Sequence, residues 1–284
     1  MTTTETAKTG SEPSPDQRTT DRRTWRGATI PVQVLVLSAR SLKATAKDPR
    51  IVVFSLLQPL IMLALFSQVF GKAMAGSIPG QSGSYINYLL PAILVTTGIG
   101  SALQSGVGLI TDMKNGVLAR FRSLPIRMGS VLLARSLSDL VRTAVQLLVL
   151  LFAATVLFGF SPAGGAVGAL SALLLSLFVS WALAWVFLGI AAWVRKEEVM
   201  QSVGFLATFP LMFASSAFVP LESLPTWLQV VGKINPLTYA VDACRDLSLD
   251  MPVGSGVLWA LATGTLLLLI GVVAAIRGFR RPLV

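Results

Sequence analysis

The sequence predicts an all-α integral membrane protein with six transmembrane helices. Three observations carry this: long uncharged runs, an uneven spread of Lys and Arg between them, and no Asp, Glu, Lys or Arg deep inside any proposed span. After Arg50 the uncharged runs are Ile51–Gly71, Ala73–Thr111, Thr143–Val194, Val199–Leu221 and Met251–Ile276. Crossing hydrocarbon takes roughly 20 mostly apolar residues per helix. A charge at the bilayer centre costs about 2.5–3.5 kcal/mol on insertion scales. Only 13% of the 284 residues are charged and 54% are hydrophobic, against about 25% charged in an ordinary soluble domain.

The first run holds one helix, Ile51–Phe70. The second is too long for one span, and Gly76, Pro79, Gly80 and Gly83 mark its start as a loop, leaving a helix at Ile86–Ile110. The third must hold two helices, Leu137–Phe158 and Val167–Val194, because Gly159-Phe-Ser-Pro162-Ala-Gly-Gly165 is a turn cluster at its middle. Val199–Val219 and Val257–Ile276 complete the six. An even number puts both termini on one side. The N-terminal region, the stretch Lys114–Arg142, the Arg195-Lys196 turn and the C-terminal tail share 20 Lys and Arg, against Lys72, Lys233 and Arg245 opposite. Positive-inside reasoning makes the basic side cytoplasmic.

Residues 1–29 are too rich in Thr, Ser, Pro and charge to bury a core, and are expected to be a disordered cytoplasmic tail. No apolar segment with a cleavage site follows the first arginines, so a signal peptide is not expected. Residues 30–48 mix Val34, Leu35, Leu42 and Ala46 with Arg40, Lys43 and Lys47. That pattern suits an amphipathic helix on the inner membrane face, the alternative being an extension of the first span. Residues 49–284 form the six-helix domain. The net charge of +10 lies beside hydrophobic spans, so it reports loop orientation and anionic lipid rather than nucleic acid.

Several function classes drop out. With no histidine and one cysteine, Cys244, there is no Ser-His dyad, no H-E-x-x-H site and no Cys/His metal cluster. A hydrolase built on Asp or Lys stays open. A proton-driven carrier usually needs intramembrane Asp, Glu or His. Asp139 and Arg142 lie near the start of the third helix, three apart on one face, and are expected to pair. No G-x-x-x-x-G-K-[ST] loop occurs, so uphill transport needs work from another subunit.

The polar side chains that enter the spans are the neutral Gln58, Gln68, Asn87, Gln104, Gln146 and Gln201. They are candidates for helix–helix hydrogen bonds, as Gly98, Gly100, Gly106 and Gly108 are for close helix packing. As a set with Met62, Phe205, Phe209 and Met212, they also suit a path for a lipophilic or amphipathic cargo. The longest interior loop, residues 111–129, carries Met113, Val117, Phe121 and Leu124 on one stripe of a short helix. Lys114, Arg120 and Arg122 lie around it, and Pro125 ends it. Two readings are open: a plug for a groove on a cytoplasmic protein, or a helix on anionic headgroups.

The order of elements resembles the permease subunits of type-2 ABC exporters, especially the daunorubicin-resistance-like drug exporters. Asp112-Met-Lys-Asn-Gly116-Val-Leu-Ala-Arg-Phe121-Arg-Ser-Leu-Pro125-Ile is similar to that family's acidic-x-x-x-Gly-(Thr/Val)-Leu-x-x-Leu-(Arg/Lys)-x-(Thr/Leu)-Pro loop. Phe218-Val-Pro220-Leu-Glu222-Ser-Leu-Pro225-Thr-Trp-Leu resembles its external segment after the fifth span. Ile234-Asn235-Pro236-Leu-Thr-Tyr239-Ala-Val-Asp242-Ala-Cys-Arg245 resembles its Asn-Pro signature. Ala119 departs from the pattern, standing where many members carry Glu.

The resemblance implies a permease without ATPase activity, paired with a second permease and resting on two ATP-binding subunits that hold ATP and Mg. It implies that Asp112, Met113, Lys114, Gly116, Val117, Arg120, Phe121, Arg122 and Pro125 couple to that ATPase. It also implies that residues 221–248 form a pair of short re-entrant helices at the outside. There Pro220, Pro225, Trp227, Asn235, Pro236 and Tyr239 would shape an external gate; a plain external loop is the alternative. The expected function is export of a hydrophobic drug, antibiotic or lipid across a bacterial plasma membrane. An ATP-independent channel or facilitator and a non-transporting assembly factor are the competing readings.

Overall fold

The computed structural model describes residue 32 and residues 49–71, 85–115, 128–251 and 254–279. The N-terminal tail, nearly all of the interfacial segment 30–48 and loop residues 116–127 lie outside the described residues. Among the described residues all regular structure is helical. The helices are α1 (Pro49–Gly71), α2 (Tyr85–Lys114), α3 (Met128–Phe158), α4 (Gly165–Val194), α5 (Glu197–Phe213), α6 (Thr226–Ile234), α7 (Pro236–Ser248) and α8 (Ser255–Phe279). A single 3₁₀ turn, Leu221–Ser223, precedes α6.

Five helices, α1, α2, α3, α4 and α8, are long and apolar enough to cross a membrane. α4 is apolar on every side and therefore sits at the centre, packed most extensively against α8 and α2. Small residues let the backbones close up. A Cβ on Gly271 of α8 would come within 2.5 Å of the Trp185 carbonyl carbon in α4. Gly98 meets Ser180 of α4, and Gly106 meets Met200 and the Phe187 backbone, as expected of close-packing glycines. Gly100 instead faces open space, and Gly108 faces the Arg135 side chain.

Two boundaries differ from expectation. α3 begins at Met128 rather than Leu137, because Asp112 of α2 pairs with Arg135 and neutralises a charged start that otherwise reads as a loop. α5 stops at Phe213 after 17 residues, which at 1.5 Å per residue is about 26 Å. Beyond Pro210 the chain bends through residues 214–218, all buried. Their carbonyls find side-chain donors in place of a helix. Tyr85 Oη donates to Phe218 O at 2.9 Å, Tyr88 Oη to Ser216 O at 3.2 Å, and Asn235 Nδ2 to Ala214 O at 3.0 Å.

The turn cluster between α3 and α4 forms as expected, with Gly159 at φ 69° and Gly165 at φ 59°. The other connection of note is α4 to α5, closed by Arg195 at φ 56° with its N–H donating to Ala191 O.

Candidate functional site

A cavity of about 820 Å³ lies between α1, α2 and α3 and is capped by Met212 of α5 and by Phe218. Its polarity is graded. Arg142 of α3 and Gln104 of α2 lie toward one end, Gln146 and Gln58 follow, and Met62, Ile93, Met212 and Phe218 line the remainder. The middle level is fixed by Gln146. Its Nε2 donates to Ser55 O at 2.9 Å and its Oε1 accepts from Ser101 Oγ at 2.8 Å, so one amide joins three helices. Gln146 is therefore helix glue. Gln58 and Gln104 instead are exposed in the cleft.

The other path candidates do not meet there. Gln68 is exposed on α1 away from the cleft lining. Asn87 Oδ1 accepts from Ser161 N at 3.1 Å, tying α2 to the turn after α3. Gln201, Phe205 and Phe209 lie exposed on α5. The rings of Phe205, Phe209 and Phe213 form a row, centroids 5.2 and 4.6 Å apart, that continues through Phe218 to Phe66 of α1.

An ionic ladder runs from the end of α2 up α3. Asp112 is ion-paired to Arg135, Arg135 Nε lies 3.6 Å from Asp139, and Asp139 lies 3.7 Å from Arg142. The expected Asp139–Arg142 pair is thus present but belongs to a longer chain of four. Arg135 was legible only as loop charge. Lys114 pairs with Glu197 at 3.4 Å, and Thr111 Oγ1 donates to the same carboxylate at 3.1 Å, fastening α2 to the start of α5. Met113 packs against the core. Gly116, Val117, Arg120, Phe121, Arg122 and Pro125 lie outside the described residues.

The segment after α5 forms two short helices. α6 carries Trp227, Val230, Val231 and Ile234 exposed, while α7 packs on α4, α8 and α2. Asn235-Pro236 builds the break between them. Asn235 Oδ1 accepts from Leu237 N at 3.0 Å as the cap of α7, with Pro236 beginning the helix. Its Nδ2 also donates to Leu211 O at 2.6 Å near the end of α5. Tyr239 Oη donates to Lys233 O at 2.7 Å, and Pro220 starts the 3₁₀ turn as Pro225 starts α6.

Arg245, counted among the charges of the external side, is 8% exposed. Its guanidinium lies 3.7 Å over the Tyr88 ring, pairs with Asp242 at 2.8 Å and donates to Ser216 O at 3.0 Å. Ser216 Oγ in turn donates to Asp242 at 2.6 Å. Cys244 beside it is fully buried, its Sγ 3.2 Å from Ser176 Oγ. Burial pushes that thiol up to about 12.

Five long apolar helices stacked around a graded cleft define a multi-pass helical membrane protein. Residues 32–249 match the ABC-2 type transporter family, and the chain belongs to it as the membrane subunit of an ABC transporter. The chain is 30% identical to a daunorubicin resistance ABC transporter permease protein of Streptomyces coeruleorubidus, over 73% of this chain and 72% of the relative. It is 27% identical to a protein of Mycobacterium tuberculosis (strain ATCC 25618 / H37Rv) named as a doxorubicin resistance ABC transporter permease, over 88% of each. A transport permease of Cyanophora paradoxa is 29% identical over 76% of this chain and 73% of its own.

Proposed function

We propose that this permease exports a hydrophobic or amphipathic drug, antibiotic or lipid from a bacterial cell, with ATP and Mg held by a separate ATP-binding subunit. The graded cleft between α1, α2 and α3 carries the reading. It offers neutral amides, methionine and aromatic carbon, which suit a lipophilic body and not a hydrated ion. The resistance permeases among the relatives support an exporter of lipophilic compounds, without fixing the charge of the cargo.

In this reading the chain crosses the plasma membrane six times with both termini cytoplasmic. α5 and the bent segment after it make the fifth crossing together. The buried, side-chain-satisfied backbone of residues 214–218 supports this, since irregular backbone at membrane depth must be sheltered by protein. α6 and α7 form the re-entrant pair, with Trp227 at the outer interface. Residues 111–129 dock on the ATP-binding subunit, and the ionic ladder carries the loop's movement into α3. The exposed aromatic row of α5 is the face offered to a second permease, identical or related.

The test is dye export into inverted vesicles containing the permease and its native ATP-binding partner. Transport is expected only with hydrolysable ATP. Uptake at full rate without ATP makes the protein a facilitator and overturns the proposal.

A further inference from the structure

Arg142 is the one charged side chain lining the cleft among the described residues. It sits seven residues beyond Arg135 on α3, about 10 Å deeper along the helix, and about 6 Å short of Gln146. Its position is poorly neutralised. Among the described residues Asp139 is its one ionic partner, at 3.7 Å, and Asp139 is shared with Arg135 at 3.6 Å. Charge-assisted hydrogen bonds close to about 2.7–2.9 Å, so neither contact is a committed one. Arg142 Nε is buried without an acceptor. A guanidinium offers five donors in a planar fork matched to carboxylate or phosphate, and here most of them are unspent.

The rest of the cleft says what is attached to such an anion. Level with Arg142 lies the Gln104 amide, because the Asp112–Arg135 and Ser101–Gln146 pairs set α2 antiparallel to α3; beyond them come Gln146 and Gln58, then Met62, Ile93 and Phe218. The wall also opens sideways: Phe54 of α1 and Val145 of α3 line the cleft and are 68% and 50% exposed. Both belong to apolar outer faces that meet lipid. An amphiphile dissolved in the leaflet can therefore slide in with its head at the depth of Arg142 and its tail toward Phe218.

Resting on the cleft as the cargo path, we propose that Arg142 makes it a site for amphiphiles with an anionic head, a carboxylate or a phosphate, in preference to neutral or cationic ones of equal size. Cationic amphiphiles are repelled by the same charge. Arg142 is a specificity-determining residue.

The test uses the full permease with its ATP-binding partner in phosphatidylcholine nanodiscs. The probes are a fluorescent twelve-carbon fatty acid, its methyl ester and the matching amine. Wild type is expected to bind the acid about tenfold tighter than the ester, the scale of one charged hydrogen-bonded contact, and the amine weakest. Arg142→Gln should bring the acid-to-ester ratio to about one, whereas Arg142→Lys should keep part of it. Gly100→Leu, which fills open space in the cleft, should weaken acid and ester alike. Competition by phosphatidylglycerol assigns the anion site to a lipid headgroup, and undiminished acid binding in its presence assigns it to a free amphiphile; both support the site. An unchanged ratio in Arg142→Gln, or equal binding of acid and ester by wild type, overturns the anion preference. If Gly100→Leu still weakens binding in that case, the cleft remains the cargo path. If Gly100→Leu changes nothing, the cleft itself is not the path.

Discussion

Arg245 is the side chain this fold can least afford to strand. It was visible in the sequence as one more charge in an external segment. Nothing local betrays its burial, because Tyr88 and Ser216 lie 157 and 29 positions away in the chain. Removing one partner of a buried pair leaves the other uncompensated. Arg245→Met is therefore expected to cost about 2–3 kcal/mol, less than a fully enclosed pair because Asp242 is 41% exposed. Tyr88→Phe keeps the ring beneath the guanidinium and loses only the bond to Ser216 O, for about 1 kcal/mol. Thermal unfolding in detergent measures both, and a melting temperature unchanged in Arg245→Met would refute the network's structural weight. Cys244 gives a second residue-scale expectation. A free thiol ionises near pH 8.5, but this one is buried and pushed up to about 12. Maleimide should label it after unfolding in dodecyl sulfate and leave it unlabelled in the folded protein at about pH 9. Labelling of the folded protein at that pH would mean that α7 opens.

At the scale of elements, the long apolar runs, which hydrocarbon thickness constrains more tightly than any local propensity, correspond to five helices long enough to span, against six expected. The misplaced boundaries have tertiary causes. α3 starts early since Asp112, on another helix, neutralises Arg135. α5 ends early since Tyr85, Tyr88 and Asn235 supply donors to a bent backbone, and no periodicity in α5 announces them. The glycines divide in the same way: composition marks all of them as packing residues, but only neighbours decide. At Gly271 an added methyl meets backbone, so Gly271→Ala should destabilise by about 1–3 kcal/mol. At Gly100 there is nothing within 4 Å, and Ala is favoured over Gly in a helix by up to about 1 kcal/mol, so Gly100→Ala should stabilise slightly. Equal melting shifts of the same sign in the two variants would contradict the packing of α8 on α4.

For the whole molecule, the sequence motifs marked the break between α6 and α7 better than they marked the cleft. The Asn-Pro signature was recognisable because a cap followed by proline is a local device. The cleft was only half legible, with Gln58, Met62, Gln104 and Met212 converging and Gln68, Asn87, Gln201, Phe205 and Phe209 directed elsewhere. Amides look alike in a sequence whether they glue helices or line a cavity. The loop around Phe121 is where the proposed coupling is most exposed to test. Its apolar stripe is expected to seat Phe121 in a groove of the ATP-binding subunit, and burying a carboxylate there forfeits the anchor. Phe121→Asp should weaken docking by about 2 kcal/mol or more, about 30-fold in affinity. Membrane insertion should be intact, because the residue lies outside every span. In co-purified vesicles the variant is expected to lose most ATP-driven transport while the ATP-binding subunit retains basal hydrolysis, so hydrolysis and transport come apart. Unchanged association and unchanged transport would remove the loop from the coupling path and leave the headgroup-bound helix as the reading of its basic rim.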